Sequence, residues 1–177
     1  MNKQILDKSF KPYLTQSNLA EAIERIANQI NQDYSDKNPL FIAILNGSFI
    51  FASDLFKKIN IPAEISFIKL ASYQGTKSTG NVITAIGLET DLYDRNVIVV
   101  EDIIDTGKTL SAFLPQLEHQ QPKSLKVCAL LHKKEATQYP ITIDYLGFEI
   151  PNLFVVGYGL DYNGYGRNLD QIMQIDE

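Results

Sequence analysis

Short runs rich in Val, Ile and Leu recur along the chain: PLFIAIL at 39–45, AEISFIKL at 63–70, NVITAI at 81–86, NVIVV at 96–100, LKVCALL at 125–131 and LFVVGY at 153–158. Several are apolar at consecutive positions and do not alternate. That is the pattern of strands buried on both faces, as in a parallel sheet covered by helices. Helical spacing appears between them. Ile23, Ile26, Ala27 and Ile30 form one apolar stripe within Ser17 to Tyr34, and Asn18 followed by Glu21 reads as a capping box at its start. A second helix is predicted from Ser48 to Lys58. A third begins near Thr106 and ends before Pro122, with Pro115 inside it predicting a kink or an early break. The segment 63–86 carries two strands with no helix between them, a hairpin or long loop attached to the sheet. Strands alternating with helices predict an α/β fold with a mostly parallel central sheet flanked by helices.

Composition narrows the class. The chain has 177 residues, a length that suits one domain with a proper core. Its net charge of −5 argues against a broad nucleic-acid or membrane surface, both of which need clustered Lys and Arg. An anionic small molecule remains open, because a few cations in one pocket suffice. Apolar runs such as Leu40 to Leu45 fall well short of the ~20 residues of a membrane span, and the start MNKQILDKSFKPY has no stretch of signal-peptide character. The single Cys128 cannot form an internal disulfide, and its neighbours VCALL make it a buried filler. A reduced, cytoplasmic location is expected.

The chemistry concentrates in NVIVVEDIIDTGKTL, residues 96–110. A buried strand ends at Val100. Then come Glu101 and Asp102, two apolar residues, Asp105, and the turn Thr106-Gly107-Lys108-Thr109, before a helix. In an open α/β sheet, ligands bind beyond the carboxyl ends of the strands. Two adjacent acids there suit ribose hydroxyls, or a hard cation held through water. Gly107 lets backbone approach a ligand closely, and the helix start offers unpaired N–H groups to a phosphate. Thr106 and Thr109 add hydroxyl donors. Gly107-Lys108-Thr109 also matches the end of a nucleoside-triphosphate P-loop, but the Gly that motif requires five positions earlier is Asp102 here. Charge and pattern both reject it.

This string resembles the phosphoribosyl pyrophosphate (PRPP) motif of type I phosphoribosyltransferases, in the hypoxanthine-guanine version. The resemblance extends over roughly residues 40–170. LNGSFIFASDL at 45–55 resembles that branch's first active-site loop. There it implies pyrophosphate contacts from Asn46 and Gly47 and a cis peptide at Leu45–Asn46, although many members carry a basic residue where Asn46 stands. SYQGTKSTG at 72–80 resembles the mobile loop that closes over the reaction, with Ser72, Tyr73, Ser78, Thr79 and Gly80 matching. LHKKE at 131–135 puts Lys133 against the exocyclic oxygen of a purine. In FVVGYGLDYNGYGRNL at 154–169, Phe154 is implied to stack on the base and Val155 to meet its edge through backbone groups. Asp161 would lie near a metal-bound water at the base and pyrophosphate, and Arg167 would reach a pyrophosphate oxygen. Tyr158, Tyr162 and Tyr165 read as packing residues.

The resemblance implies a Mg²⁺-dependent enzyme of purine salvage, transferring the 5-phosphoribosyl group from PRPP to hypoxanthine or guanine. Asp105 is its candidate general base. Glu101, Asp102, Asp105, Thr106, Gly107, Lys108 and Thr109 would bind the ribose phosphate, and Glu101, Asp102 and Asp161 the metal. One domain is expected over 1–177, with a core at about 38–150 and a small hood built from the N-terminal segment and 151–177. A homodimer or homotetramer is expected, without nucleic acid or membrane. A PRPP-sensing regulator of the same fold is the rival, weighed down by the acidic charge and by purine-side residues a sensor does not need. A xanthine preference stays open. A phosphoacceptor signalling domain explains neither the loop after the acids nor the Lys133 and Phe154 segments.

Overall fold

A computed structural model of the chain describes residues 1–73 and 82–176. Two short strands, β1 (Lys3–Ile5) and β2 (Lys8–Leu14), lead into helix α1 (Gln16–Asp33). The capping box of α1 is Thr15 with Asn18, not the expected Asn18 with Glu21. The Thr15 hydroxyl accepts from the Asn18 N–H at 3.2 Å, and the Asn18 side chain accepts from the Thr15 N–H at 3.0 Å. Both pairs have the same spacing; the earlier one wins because the helix begins directly where β2 ends. Glu21 instead accepts from the Ser17 hydroxyl.

Then follow β3 (Leu40–Leu45), α2 (Phe49–Phe56), β4 (Glu64–Tyr73), β5 (Val82–Ile86), β6 (Asn96–Ile104), α3 (Lys108–Glu118), β7 (Ser124–His132), β8 (Tyr145–Glu149), β9 (Val155–Val156) and β10 (Ile172–Ile175). Six of these strands form the main sheet in the order β5-β4-β3-β6-β7-β8. β4, β3, β6, β7 and β8 run parallel, and β5 pairs antiparallel with β4, so the two strands expected within 63–86 lie side by side at the edge of the sheet.

Both faces of this sheet are covered. Leu19, Ile23, Ile26 and Ile30 of α1 and Phe51 and Leu55 of α2 pack on Phe41, Ala43, Ile98, Val100 and Cys128. Leu110, Phe113 and Leu117 of α3 pack on Leu40, Ile42, Val97, Val99 and Val127. Consecutive residues of β3 and β6 therefore enter opposite cores, which is why their sequences do not alternate. Pro115 lies inside α3 without breaking it: the His119 N–H still donates to the Pro115 carbonyl at 3.0 Å. The expected early break does not occur, since the stripe Leu110, Phe113 and Leu117 holds the helix to the sheet on both sides of the proline.

The two ends of the chain meet in a second, four-stranded sheet of order β1-β2-β10-β9. Phe10, Val156 and Met173 are buried together there. No helix among the described residues is long and apolar enough to cross a membrane.

Candidate active site

The parallel strands β3, β6 and β7 all end at one edge of the main sheet, and the chemistry-bearing residues follow those ends. A cavity of about 320 Å³ opens there, between the end of β3 and the run from Glu101 to Leu110. Glu101 and Asp102 are buried in the last part of β6, just before Ile103 and Ile104. Burial, and then the Asp102 carboxylate beside it, push the Glu101 carboxyl well above the usual carboxylate range. A pair in this state gains from a cation or from hydroxyl donors placed against it.

Asp102 also supports the first loop. A side chain at Gly47 would collide with the Asp102 carboxylate, so this position admits only glycine without rearrangement. The Leu45–Asn46 peptide just before it is cis, as the resemblance implied. Asn46 is exposed, and Ser48 is fully buried with its hydroxyl donating to the Ile44 carbonyl at 2.6 Å.

After β6 the backbone turns sharply. Gly107 caps α3 with φ of 80°, and a side chain there would meet the Tyr139 carbonyl. The Thr106 carbonyl accepts from the N–H groups of Gln138 and Tyr139, both at 3.0 Å, which fixes the turn to the segment after β7. The Thr106 hydroxyl accepts from the Lys108 N–H at 3.3 Å. The first turn of α3 thus faces the cavity with backbone donors that have no helical partner.

Lys133 follows the end of β7 and is nearly buried, with 9% of its side chain exposed, against 49% for Asp105. Its ammonium donates to Asp105 Oδ2 at 2.9 Å. The Thr137 hydroxyl lies within 3.3 Å of the Asp105 carbonyl and 3.1 Å of the Lys133 carbonyl, tying the two loops together. On the far side of Lys133 lies a cavity of about 480 Å³ bordered by Phe154, Lys11 and Gln174. Phe154 is 44% exposed and is backed by Phe10 and Tyr162, with ring centroids 6.3 and 5.8 Å away. Val155 is buried in β9 and pairs with Gln174.

Asp161 and Arg167 occupy the turn after β9. The Arg167 guanidinium lies 2.5 Å from Asp161 Oδ1 and donates to the Gly159 carbonyl at 2.7 Å. Asp161 Oδ2 accepts from the Gly164 N–H at 2.6 Å. Both carboxylate oxygens are therefore engaged within this turn. Among the described residues, no three Asp, Glu, His or Cys side chains are placed together to hold a metal ion. The expected trio Glu101, Asp102 and Asp161 does not form one such group: the first two lie within the last part of β6, which runs to Ile104, while Asp161 is drawn to Arg167. Of the expected mobile loop, Ser72 and Tyr73 lie on β4, while Ser78, Thr79 and Gly80 fall outside the described residues. Lys11 and Gln174 were not anticipated. They come from the two chain ends, where no motif marks them; only their pairing across β2 and β10 brings them beside Lys133.

Comparison with known proteins gives a consistent result. The family model for the phosphoribosyl transferase domain matches residues 9–163. A hypoxanthine phosphoribosyltransferase of Buchnera aphidicola is 42% identical over 170 residues, 94% of this chain and 96% of that protein. A hypoxanthine-guanine-xanthine phosphoribosyltransferase of Tritrichomonas foetus is 39% identical over 169 residues, 95% of this chain and 92% of that protein. The crystal structure of a hypoxanthine-guanine phosphoribosyltransferase from Bacillus anthracis superposes with a TM-score of 0.86 at 36% identity, covering 94% of this chain and 98% of that one.

Proposed function

The chain belongs to the phosphoribosyltransferase family, and from that premise we propose that it is a purine-salvage enzyme, transferring the 5-phosphoribosyl group of PRPP to hypoxanthine and guanine. The observation that carries this reading is the Lys133–Asp105 pair at 2.9 Å. It joins the loop suited to a sugar phosphate with a nearly buried cation suited to an oxo-purine.

The 5′-phosphate would rest on the N–H groups at the start of α3, with the Thr106 and Thr109 hydroxyls and Lys108 around it. Glu101 and Asp102 would hold the ribose hydroxyls and face the positive charge that develops at the ribose carbon. The base would lie against the Phe154 ring, its edge toward the backbone at Val155 and its exocyclic oxygen toward Lys133. An ammonium has only donors, so it favours an oxo group over the amino group of adenine. As the purine nitrogen bonds to the ribose carbon, the bond to pyrophosphate breaks and the ring N–H proton passes to Asp105. Bringing sugar and base together in one orientation supplies much of the acceleration. The Gly47 loop and Arg167 would take the charge of the leaving pyrophosphate.

Mg²⁺ fits this site as an ion that takes most of its ligands from substrate oxygens and water, beside the two buried acids of β6. Bound there, it would neutralise charge on the leaving pyrophosphate. Glu101 and Asp102 would hold it against the sugar, and Asp161 would serve through water once released from Arg167. The four-stranded sheet would act as the hood over the base, with residues 38–150 as the core of a single domain. Exposed Phe49 on α2 and Phe67 on β4 leave apolar surface for assembly as a dimer or tetramer. The single buried thiol of Cys128 agrees with a cytoplasmic setting.

The test is nucleotide formation by the purified protein with PRPP and Mg²⁺, offered hypoxanthine, guanine, xanthine and adenine separately. Turnover of hypoxanthine or guanine that a chelator abolishes is expected. PRPP binding without turnover of any base would favour the regulator.

A further inference from the structure

The mechanism above leaves Tyr158 unused, yet it is one of the most constrained residues in the chain. It is 5% exposed and adopts φ of 53°, between Gly157 and Gly159 at 99° and 104°. A bulky residue in the left-handed region is uncommon and persists where its contacts over-determine it. Here the contacts are plain. The Tyr158 N–H donates to the Leu169 carbonyl at 2.9 Å. Its hydroxyl donates to Asp54 Oδ2 in the second turn of α2, and Asp54 Oδ1 pairs with Lys57 at 2.6 Å. Burial would raise the Asp54 carboxyl, but the bonds from Lys57 and Tyr158 outweigh it and hold it below its ordinary value.

The next residue explains what this anchor does. A side chain at Gly159 would run into the Gly47 carbonyl, so the turn after β9 lies directly on the first loop. The Gly159 N–H donates to the Arg167 carbonyl at 3.0 Å, and the Gly159 carbonyl accepts from the Arg167 guanidinium. Two segments assigned to pyrophosphate, the loop that opens α2 and the turn holding Asp161 and Arg167, thus meet at one glycine–glycine contact. Backbone contact alone leaves them free to slide. The hydroxyl of Tyr158 adds a second fixed point, on the same helix that the Gly47 loop begins.

We propose that Tyr158 is a positioning residue for the pyrophosphate half of the site, its hydroxyl locking the Gly159–Arg167 turn to α2 through Asp54. This rests on the function proposed above. Tyr158 touches no reacting atom; it sets the separation of Gly47 from Arg167 and Asp161.

The experiment compares the full-length protein with Tyr158→Phe, Asp54→Ala and the double variant. Calorimetry measures Mg²⁺-PRPP, Mg²⁺-pyrophosphate and the product nucleotide IMP, alongside melting temperatures and hypoxanthine kinetics. Each single variant should bind PRPP and pyrophosphate about tenfold more weakly, the size of a lost hydrogen bond to a charged partner. IMP, which leaves the pyrophosphate subsite empty, should bind within about twofold of the parent, and the double variant should be no worse than Asp54→Ala, because the Tyr158–Asp54 bond is already lost there. Equal weakening of IMP and pyrophosphate would mean a merely structural role, and unchanged pyrophosphate binding in Tyr158→Phe would equally overturn the proposal. Tyr158→Phe keeps the ring and its packing, so a folding failure of Asp54→Ala leaves it decisive. A parent that binds pyrophosphate selectively but makes no nucleotide would fail the enzyme reading alone.

Discussion

Asp105 and Lys133 are 28 residues apart in sequence and meet because β6 and β7 are parallel neighbours ending at the same level. Each side chain is the other's partner until a substrate arrives. Asp105→Asn keeps the shape and removes the base. Turnover should fall by about 10²–10³-fold, within the range for a lost general base, while calorimetric PRPP affinity stays close to the parent. Equal losses in both would assign Asp105 to sugar-phosphate binding instead. Glu101 gives the opposite kind of prediction. Its carboxyl is raised on folding, so between the unfolded and folded values the native state holds a proton that the unfolded state has lost. Stability of the ligand-free protein therefore falls as pH rises through that window. Glu101→Gln removes this cost. The ligand-free variant should melt roughly 2–4 °C higher at neutral pH, about 1 kcal/mol, show no such decline with pH, and bind PRPP poorly. A lower melting temperature at neutral pH would show that Glu101 is already well served by the fold.

The turn between β6 and α3 needs one residue type at one position. Gly107 combines φ of 80° with a neighbouring carbonyl where a side chain would go. Gly107→Ala should destabilise the fold by more than about 1 kcal/mol and displace the N–H groups at the start of α3. Denaturant melts read the first effect. A phosphate-side loss, seen as weaker IMP and PRPP binding together, reads the second; retained affinity for both would mean the loop is not the phosphate site. This element was legible from sequence because everything it needs is contiguous: buried strand, acids, glycine, hydroxyls, helix. The central strands β3, β6 and β7 were legible for a related reason, since residues buried on both faces cannot hide their composition; β8, only partly buried, carried no such run and was missed. The start of α1 was not, because Thr15, Asn18 and Glu21 offer two capping pairs at equal spacing. Choosing between them requires knowing where β2 stops. The early break allowed for at Pro115 does not occur for a different reason: one proline removes a single helical bond, and three large apolar contacts outweigh it.

At the scale of the whole molecule, the base side of the site depends on the chain's two ends. β2 carries charged residues and Pro12 and has no periodic signal of its own, while β9 is only the two-residue middle of the run LFVVGY, which does not say what it pairs with. Their sheet exists only because β10 lies between them, more than 150 residues after β2. What that sheet contributes is a backing for Phe154. Phe10, fully buried, touches both Phe154 and Tyr162, with ring centroids 6.3 and 6.2 Å away. Removing the ring opens a cavity beneath the aromatic wall, at a cost of about 3–5 kcal/mol for a buried Phe. The main sheet, the Gly107 turn and the Gly47 loop make no use of Phe10. Phe10→Ala should therefore raise the Michaelis constant for hypoxanthine several-fold while PRPP affinity stays near that of the parent. Phe10→Leu, which refills part of the space, should recover most of the loss. Steady-state kinetics at saturating PRPP, set beside PRPP calorimetry, separates the two sides of the site. If base and PRPP binding weaken in step, the small sheet supports the whole fold and not the base wall in particular; if neither changes, Phe154 holds its place without it.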